Sequence, residues 1–279
     1  MSWIDALIMG IVQGLAEYLP ISSSGHLEIC RDILGLELNG AEALEFDVVL
    51  HVATVLSTIV VLWKEFMPLC VSFFTLRFDD RFTYVCKILV SCIPVAIVGL
   101  CFKDVVESFF GNGLTVVGIC LIITAALLLF AYFFRTRGEL ASSQRYISPE
   151  QADKSITWTD AIIMGIAQAI AVLPGLSRSG STIATGISLG ANRAAVARFS
   201  FFMVIIPILG EALLGLKDIL TGESATAGTV GAIPLTVGFI ASFVVGCAAC
   251  KWMIEIVKKG KLVWFALYCL AAGLLCILW

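Results

Sequence analysis

The chain has 279 residues, of which 59% are hydrophobic and 14% charged, and its mean hydropathy is +1.00. Soluble domains carry about 25% charged residues, so this composition excludes a soluble globular protein and indicates an integral membrane protein. The net charge of −3 says little about partners, because the positive and negative charges are segregated by loop, and we expect no nucleic acid partner.

The N-terminal apolar segment, residues 4–19, leads into the sequence Q-G-L-A-E-Y-L-P-I-S-S-S-G-H at residues 13–26. As a helix the segment would be about 24 Å long, shorter than the roughly 30 Å hydrocarbon core of a bilayer. Pro20 predicts the end of the helix. Polar backbone inside a membrane persists only when it is buried in protein or lines a wet cavity. We therefore predict a re-entrant hairpin.

The same unit occurs twice. Residues 3–25 match residues 158–180, with 12 of the 23 positions identical. This predicts one integral membrane domain made of two repeat halves, residues 1–135 and 158–279, joined by a polar cytoplasmic linker at residues 136–157.

Each predicted hairpin is followed by three apolar segments that approach spanning length, at residues 46–63, 85–102 and 114–134 and then 198–216, 231–250 and 262–279. Because three is odd, the second half begins on the opposite side of the membrane. Thirteen lysines and arginines then lie on one side and only Arg31, Lys103 and Lys217 on the other, which predicts that both termini are outside.

The predicted fold is thus an all-α polytopic membrane protein with an inverted-topology repeat. It has about six transmembrane helices and two re-entrant helical hairpins that meet near the midplane. In transporters built from inverted repeats with broken helices, the binding site lies there.

Three polar residues near the first hairpin could carry chemistry. Glu17 is an acid in an apolar segment and therefore a functional candidate, with a structural hydrogen bond to a neighbouring loop as the alternative. His26 could act as an acid, a base or a nucleophile, or could be structural. Gln13 lies four residues before Glu17, on the same helix face, and can position a group but cannot ionise. His51, in an apolar span, is predicted to be a packing or hydrogen-bonding residue.

The second loop has the sequence P-G-L-S-R-S-G-S-T at residues 174–182. The guanidinium of Arg178, the serine hydroxyls and the backbone amides freed by glycine suit a phosphate group. An ion pair with Glu17 is the alternative, and the two roles are compatible. The halves differ at three aligned positions, with Glu17 opposite Val172, Ser23 opposite Arg178 and His26 opposite Ser181. A composite site would therefore draw its acid and histidine from one half and its cation from the other.

The two motifs resemble the signature motifs of bacterial undecaprenyl-diphosphate phosphatases of the bacitracin-resistance type, and the similarity extends over the whole chain. The resemblance implies removal of the terminal phosphate of undecaprenyl diphosphate with a divalent cation, Mg²⁺ or Ca²⁺. It also implies a homodimer in the bacterial cytoplasmic (inner) membrane that recycles the lipid carrier for peptidoglycan synthesis and confers bacitracin resistance. The active site is expected to open to the outer face.

By this resemblance the catalytic residues are Glu17, Ser23, His26 and Arg178. The substrate-binding residues are Gln13, Ser22, Ser177, Ser179 and Thr182. Glu17 is also expected to bind the metal ion together with the substrate diphosphate. The family has Glu or Gln where this chain has Gln13, so a mechanism that needs two carboxylates on the metal is in doubt here.

Two questions stay open at this point. We favour Ser23 as nucleophile with His26 as its base, but attack by His26 or by water remains an alternative. The inverted repeat also suits a transporter or flippase for polyprenyl phosphate, and the serine and histidine favour an enzyme.

Overall fold

The computed structural model describes residues 1–38, 40–102, 113–139, 156–221 and 230–279, and within these ranges the chain is helical with no strand. The predicted linker lies almost entirely outside them. The described helices are α1 (Trp3–Ala16), α2 (Ser23–Leu34), α3 (Gly40–Val61), α4 (Trp63–Phe74), α5 (Asp80–Cys101), α6 (Leu114–Glu139), α7 (Trp158–Ile170), α8 (Arg178–Ser188), α9 (Arg193–Met203), α10 (Ile205–Thr221), α11 (Ala232–Lys258) and α12 (Val263–Leu278).

Five helical segments in the described part of the chain are long and apolar enough to cross a membrane: α3, α5, α6, α11 and the nearly continuous pair α9–α10. The sixth predicted span is α12, which has only 16 residues. The predicted span at residues 46–63 ends at the observed break, but helix α4 was not predicted, because its 12 residues are too few for a span and include Pro68. The multi-pass, all-helical membrane fold is confirmed.

The first hairpin consists of α1, a turn and α2. A capping box between Ser2 and Asp5 begins α1. The helix ends at Ala16, earlier than Pro20 led us to predict, and Glu17 is its C-cap residue. The side chain of Glu17 reaches Arg178 in the second hairpin. Ser22, with φ of 71°, is the N-cap of α2 and accepts a hydrogen bond from the amide of Gly25.

The second hairpin, α7 and α8, has the same construction. Thr157 and Asp160 form the equivalent capping box. Ser177 is the N-cap of α8 and accepts a hydrogen bond from the amide of Gly180. The repeat in the sequence is therefore also a repeat of local structure.

Each hairpin packs against a helix of the other half. Helix α1 lies along α11, and α7 lies along α5, which is the equivalent pair in the repeat. A Cβ atom on Gly14 of α1 would lie 2.8 Å from the carbonyl oxygen of Ser242 in α11. In the second pair, a Cβ atom on Gly165 of α7 would lie even closer to the carbonyl oxygen of Ser91 in α5. Only glycine permits this approach of two helices.

The tips of the two hairpins touch each other. A Cβ atom on Gly25 would lie 2.9 Å from the Cα atom of Gly175. The hydroxyl of Ser179 donates to the carbonyl of Leu19 across the same contact, at 3.1 Å. The polar loops of both halves are thereby brought into one region.

Candidate active site

Glu17 is at the centre of the site. Its Oε1 atom accepts a hydrogen bond from Nη2 of Arg178 at 2.6 Å. Its Oε2 atom accepts from Nε2 of Gln13 at 2.9 Å and from Oγ of Ser23 at 2.8 Å. The Glu17 side chain is only 7% exposed, and a buried carboxylate needs such partners to offset its lost hydration.

The ion pair between Glu17 and Arg178 joins the two hairpins. It was one of the two alternatives for Arg178. The guanidinium has five N–H donors, and its contact with Glu17 uses one terminal nitrogen. Arg178 can therefore hold the carboxylate and a phosphate group together.

One cavity lies between the hairpins. Five of the predicted site residues line it, namely Glu17, Ser23, Ser177, Arg178 and Ser179. Thr54 and Thr58 of α3 and Ser200 of α9 add hydroxyls to its wall. A guanidinium and several hydroxyls around one small, partly open cavity form a donor set for a phosphate group.

The cavity lining also includes apolar side chains of the spanning helices, among them Val55, Val204 and Ile208. The cavity therefore has both polar and apolar lining.

His26 does not contact Ser23, contrary to the pairing that we favoured. Its Nδ1 atom lies 2.8 Å from the carbonyl oxygen of Ser22, and its Nε2 atom lies 2.7 Å from the hydroxyl of Tyr268 in α12. The Tyr268 ring also stacks on the imidazole, with centroids 5.5 Å apart. These contacts turn the imidazole away from the Ser23 hydroxyl, which faces Glu17.

Three further predicted residues lie beside the cavity and not on its wall. Gln13 is fully buried, and Ser22 is the N-cap of α2. The hydroxyl of Thr182 donates to the carbonyl of Arg178 at 2.9 Å and contacts Oγ of Ser200 at 2.6 Å. In this geometry they support the loops that carry Glu17, Ser23 and Arg178.

For α3 the sequence predicted only a packing or hydrogen-bonding role for His51 and did not point to Thr54 or Thr58. Nε2 of His51 lies 3.5 Å from Oε2 of Glu17, and Thr54 and Thr58 line the cavity. Their spacing, i, i+3 and i+7, puts three polar side chains on one face of an apolar helix. This row of polar residues on an apolar helix could have indicated that α3 contributes to the site.

Comparison with known proteins decides the family. The family model described as bacitracin resistance protein BacA matches residues 6–275. The chain belongs to the BacA family. An undecaprenyl-diphosphatase of Parabacteroides distasonis is 56% identical over 99% of this chain and 98% of its own length. Proteins with the same name from Bacteroides thetaiotaomicron and Bacteroides fragilis are each 54% identical, over 98% and 99% of this chain and 97% and 98% of their own lengths.

Membership of the BacA family agrees with the geometry. A phosphatase for a lipid diphosphate needs donors for phosphoryl oxygens, a nucleophile next to a proton acceptor, and an apolar surface for the lipid. The cavity lining offers such donors in Arg178 and the serines, Ser23 lies next to Glu17, and apolar side chains such as Val55 and Val204 also line the cavity.

Proposed function

We propose that this protein hydrolyses undecaprenyl diphosphate to undecaprenyl phosphate and inorganic phosphate in the cavity between its two hairpins. Its relatives are named for that activity at 54–56% identity over nearly their whole length. The observation that carries the proposal is the contact of Glu17 with Arg178 and Ser23 in one partly open cavity.

The substrate enters with its diphosphate toward the hairpins and its hydrocarbon chain along the apolar side chains of the lining. Arg178, Ser177 and Ser179 hold the terminal phosphoryl group, because they are the donors on the cavity wall of the second hairpin. The chain leaves the cavity past Val204 and Ile208 toward the bilayer. Phosphoryl transfer depends mainly on positioning and charge neutralisation, which this set of residues provides.

Ser23 is the nucleophile and Glu17 is its base. The carboxylate accepts the hydroxyl proton, across the observed 2.8 Å contact, as Oγ bonds to the terminal phosphorus. The bond between that phosphorus and the bridging oxygen breaks, and undecaprenyl phosphate leaves. Water then hydrolyses the phosphoserine, phosphate departs, and the proton returns to Oγ of Ser23.

A divalent cation fits the residues next to Glu17 as a partner of the substrate. Within the described part of the chain, no group of three or more His, Cys, Asp or Glu residues could hold a metal ion. Oε1 of Gln13, however, is buried without a hydrogen-bond partner, and a hard cation takes oxygen ligands from one or two side chains plus phosphates. Glu17 and Gln13 would hold Mg²⁺ or Ca²⁺ there, and the ion would neutralise charge on the diphosphate.

The charge distribution and the family support a proposal for the membrane, the orientation and the oligomeric state of the enzyme. We propose a homodimer in the bacterial cytoplasmic membrane, with both termini outside and the active site opening to the outer face. There it would recycle the lipid carrier for peptidoglycan synthesis, and the same activity would confer bacitracin resistance.

Phosphate release from undecaprenyl diphosphate by the purified protein in detergent tests this function. We expect release that requires a divalent cation, that stops with a chelator, and that is lost in Glu17→Gln and in Arg178→Ala. Ser242→Ala is the control, because it removes one buried hydrogen bond to α3 outside the cavity. Release that continues unchanged in Glu17→Gln would place the chemistry elsewhere.

A further inference from the structure

The catalytic carboxylate receives contacts from more than the two hairpins. Oε2 of Glu17 accepts hydrogen bonds from Gln13 and Ser23, and Nε2 of His51 also lies 3.5 Å from it. Gln13 and Ser23 belong to the first hairpin itself. His51 belongs to α3, a membrane-spanning helix outside the hairpins.

The imidazole of His51 is fixed by a second contact. Its Nδ1 atom lies 2.7 Å from the carbonyl oxygen of Asp47, one turn earlier in α3. A carbonyl oxygen can only accept, so Nδ1 carries a hydrogen and donates it; Nε2 then donates to Glu17 when the ring is the imidazolium, in which both nitrogens carry hydrogens. The ring is thereby oriented with Nε2 toward Glu17. Asp47 is in turn paired through its carboxylate with Arg31.

Helix α3 is itself held firmly in the protein. The hydroxyl of Ser242 in α11 donates to the carbonyl of Leu50, and Gly238 of α11 faces Phe46 and Leu50 closely enough that a Cβ atom would lie 2.9 Å from the Phe46 ring. The hydroxyl of Tyr18, next to Glu17 in the chain, donates to the carbonyl of Thr54 at 2.6 Å. Two neighbouring hairpin residues are thus held by the same face of α3.

His51 is not part of the cavity wall. Its side chain is 17% exposed, and the residues that line the cavity begin one turn further along α3, at Thr54. The His51 side chain contacts the carboxylate of Glu17, which lines the cavity, and the carbonyl of Asp47, which does not. His51 can therefore act on the reaction only through Glu17.

We propose that His51 is a positioning residue for Glu17, which fixes the carboxylate between Ser23 and Arg178. A re-entrant hairpin ends in a turn with few backbone hydrogen bonds. Its catalytic side chain therefore needs a contact from another helix to fix its position. His51 provides this contact from the spanning helix α3. Residues behind a substrate-binding group orient it in the same way in other sites. This inference rests on the proposed phosphatase function.

The test compares His51→Leu and His51→Gln with wild type in the phosphate-release assay with undecaprenyl diphosphate. Leucine fills the volume without a donor, and we expect kcat to fall about 10- to 100-fold with KM little changed. Glutamine has an amide N–H of similar reach, so we expect it to restore most of kcat. Ser242→Ala, which loses a buried hydrogen bond on the same helix, should keep the wild-type kcat.

A purely structural role for His51 would predict equal losses of kcat in both variants. A direct contact with the substrate would instead raise KM at constant kcat. Either result would overturn the inference. If His51→Leu does not fold, the shorter His51→Asn replaces it with the same expectation. In a Glu17→Gln background, replacing His51 should not lower the residual kcat any further. A further loss of kcat would also overturn the inference. Absence of release from well-folded wild type would instead contradict the phosphatase function.

Discussion

At the scale of single residues, Glu17 and the three donors around it explain why an acid is kept in an apolar segment. Arg178 balances its charge, while Gln13 and Ser23 satisfy the second oxygen. A buried charge that loses its partner is strongly destabilising, by about 3–5 kcal/mol. We therefore expect neutral replacements of Glu17 to fold better than neutral replacements of Arg178, which would leave the carboxylate unpaired.

Ser23 and its neighbour Ser22 offer a matched pair of substitutions. Ser23→Ala removes the hydroxyl that contacts Glu17, and we expect kcat to fall at least about 100-fold because the nucleophile is lost. Ser22→Ala removes the N-cap of α2 and should cost about 1 kcal/mol of stability with a smaller effect on kcat. The assay is phosphate release together with the melting temperature. A larger loss of kcat in Ser22→Ala would contradict the assignment of the nucleophile.

The sequence allowed part of this site to be predicted. Glu17 and Arg178 could be found because a charged residue in an apolar segment needs a function or a partner, and the repeat places each in its own hairpin. The orientation of His26 could not be predicted. It depends on the hydroxyl of Tyr268, which is 242 residues away in the chain, and no local pattern connects the two.

At the scale of helices, close contact through glycine decides how the first hairpin is placed. A Cβ atom on Gly14 would lie 2.8 Å from the carbonyl of Ser242 and 2.9 Å from the Cβ atom of Val245, both in α11. The apolar pattern of α1 predicted a helix but not its partner, because any apolar surface would satisfy that pattern. The partner is specified by small residues on both helices.

Gly14→Ala should therefore lower the melting temperature, because α1 and α11 would have to move apart. Gly99→Ala in α5 is the control, since an added Cβ atom there meets nothing within 4 Å and alanine is the better helix former by about 1 kcal/mol. Thermal unfolding in detergent distinguishes the two variants. A similar or higher melting temperature for Gly14→Ala would contradict the close packing of α1 on α11.

At the scale of the whole molecule, the two halves are mutually dependent. Helix α1 of the first half packs on α11 of the second, and α7 of the second packs on α5 of the first. The repeat in the sequence predicted the two hairpins and their divergence. It could not predict this exchange of partners, because periodicity reports which face of a helix is apolar and not which helix covers it. Helix α4 was missed for a different reason, because its 12 residues, with Pro68 among them, are too few to form a predicted span.

The predicted orientation in the membrane has a direct test. Alkaline phosphatase is active only outside the cytoplasm, so a fusion at Trp279 should be active and a fusion within the polar linker, after Arg145, should be inactive. The reason is the excess of lysine and arginine that the inverted topology places on the linker side. An active linker fusion with an inactive C-terminal fusion would reverse the proposed orientation of the protein.

The central claim is that one active site is built from both halves through the contact of Glu17 with Arg178. A double-mutant cycle on kcat/KM for phosphate release measures it, with Glu17→Gln, Arg178→Gln and the two combined. Groups that act as a unit lose their function together, so we predict that the double variant is no worse than the more impaired single variant. A loss in the double variant equal to the product of the two single losses would show that the residues act independently, and would contradict a composite site.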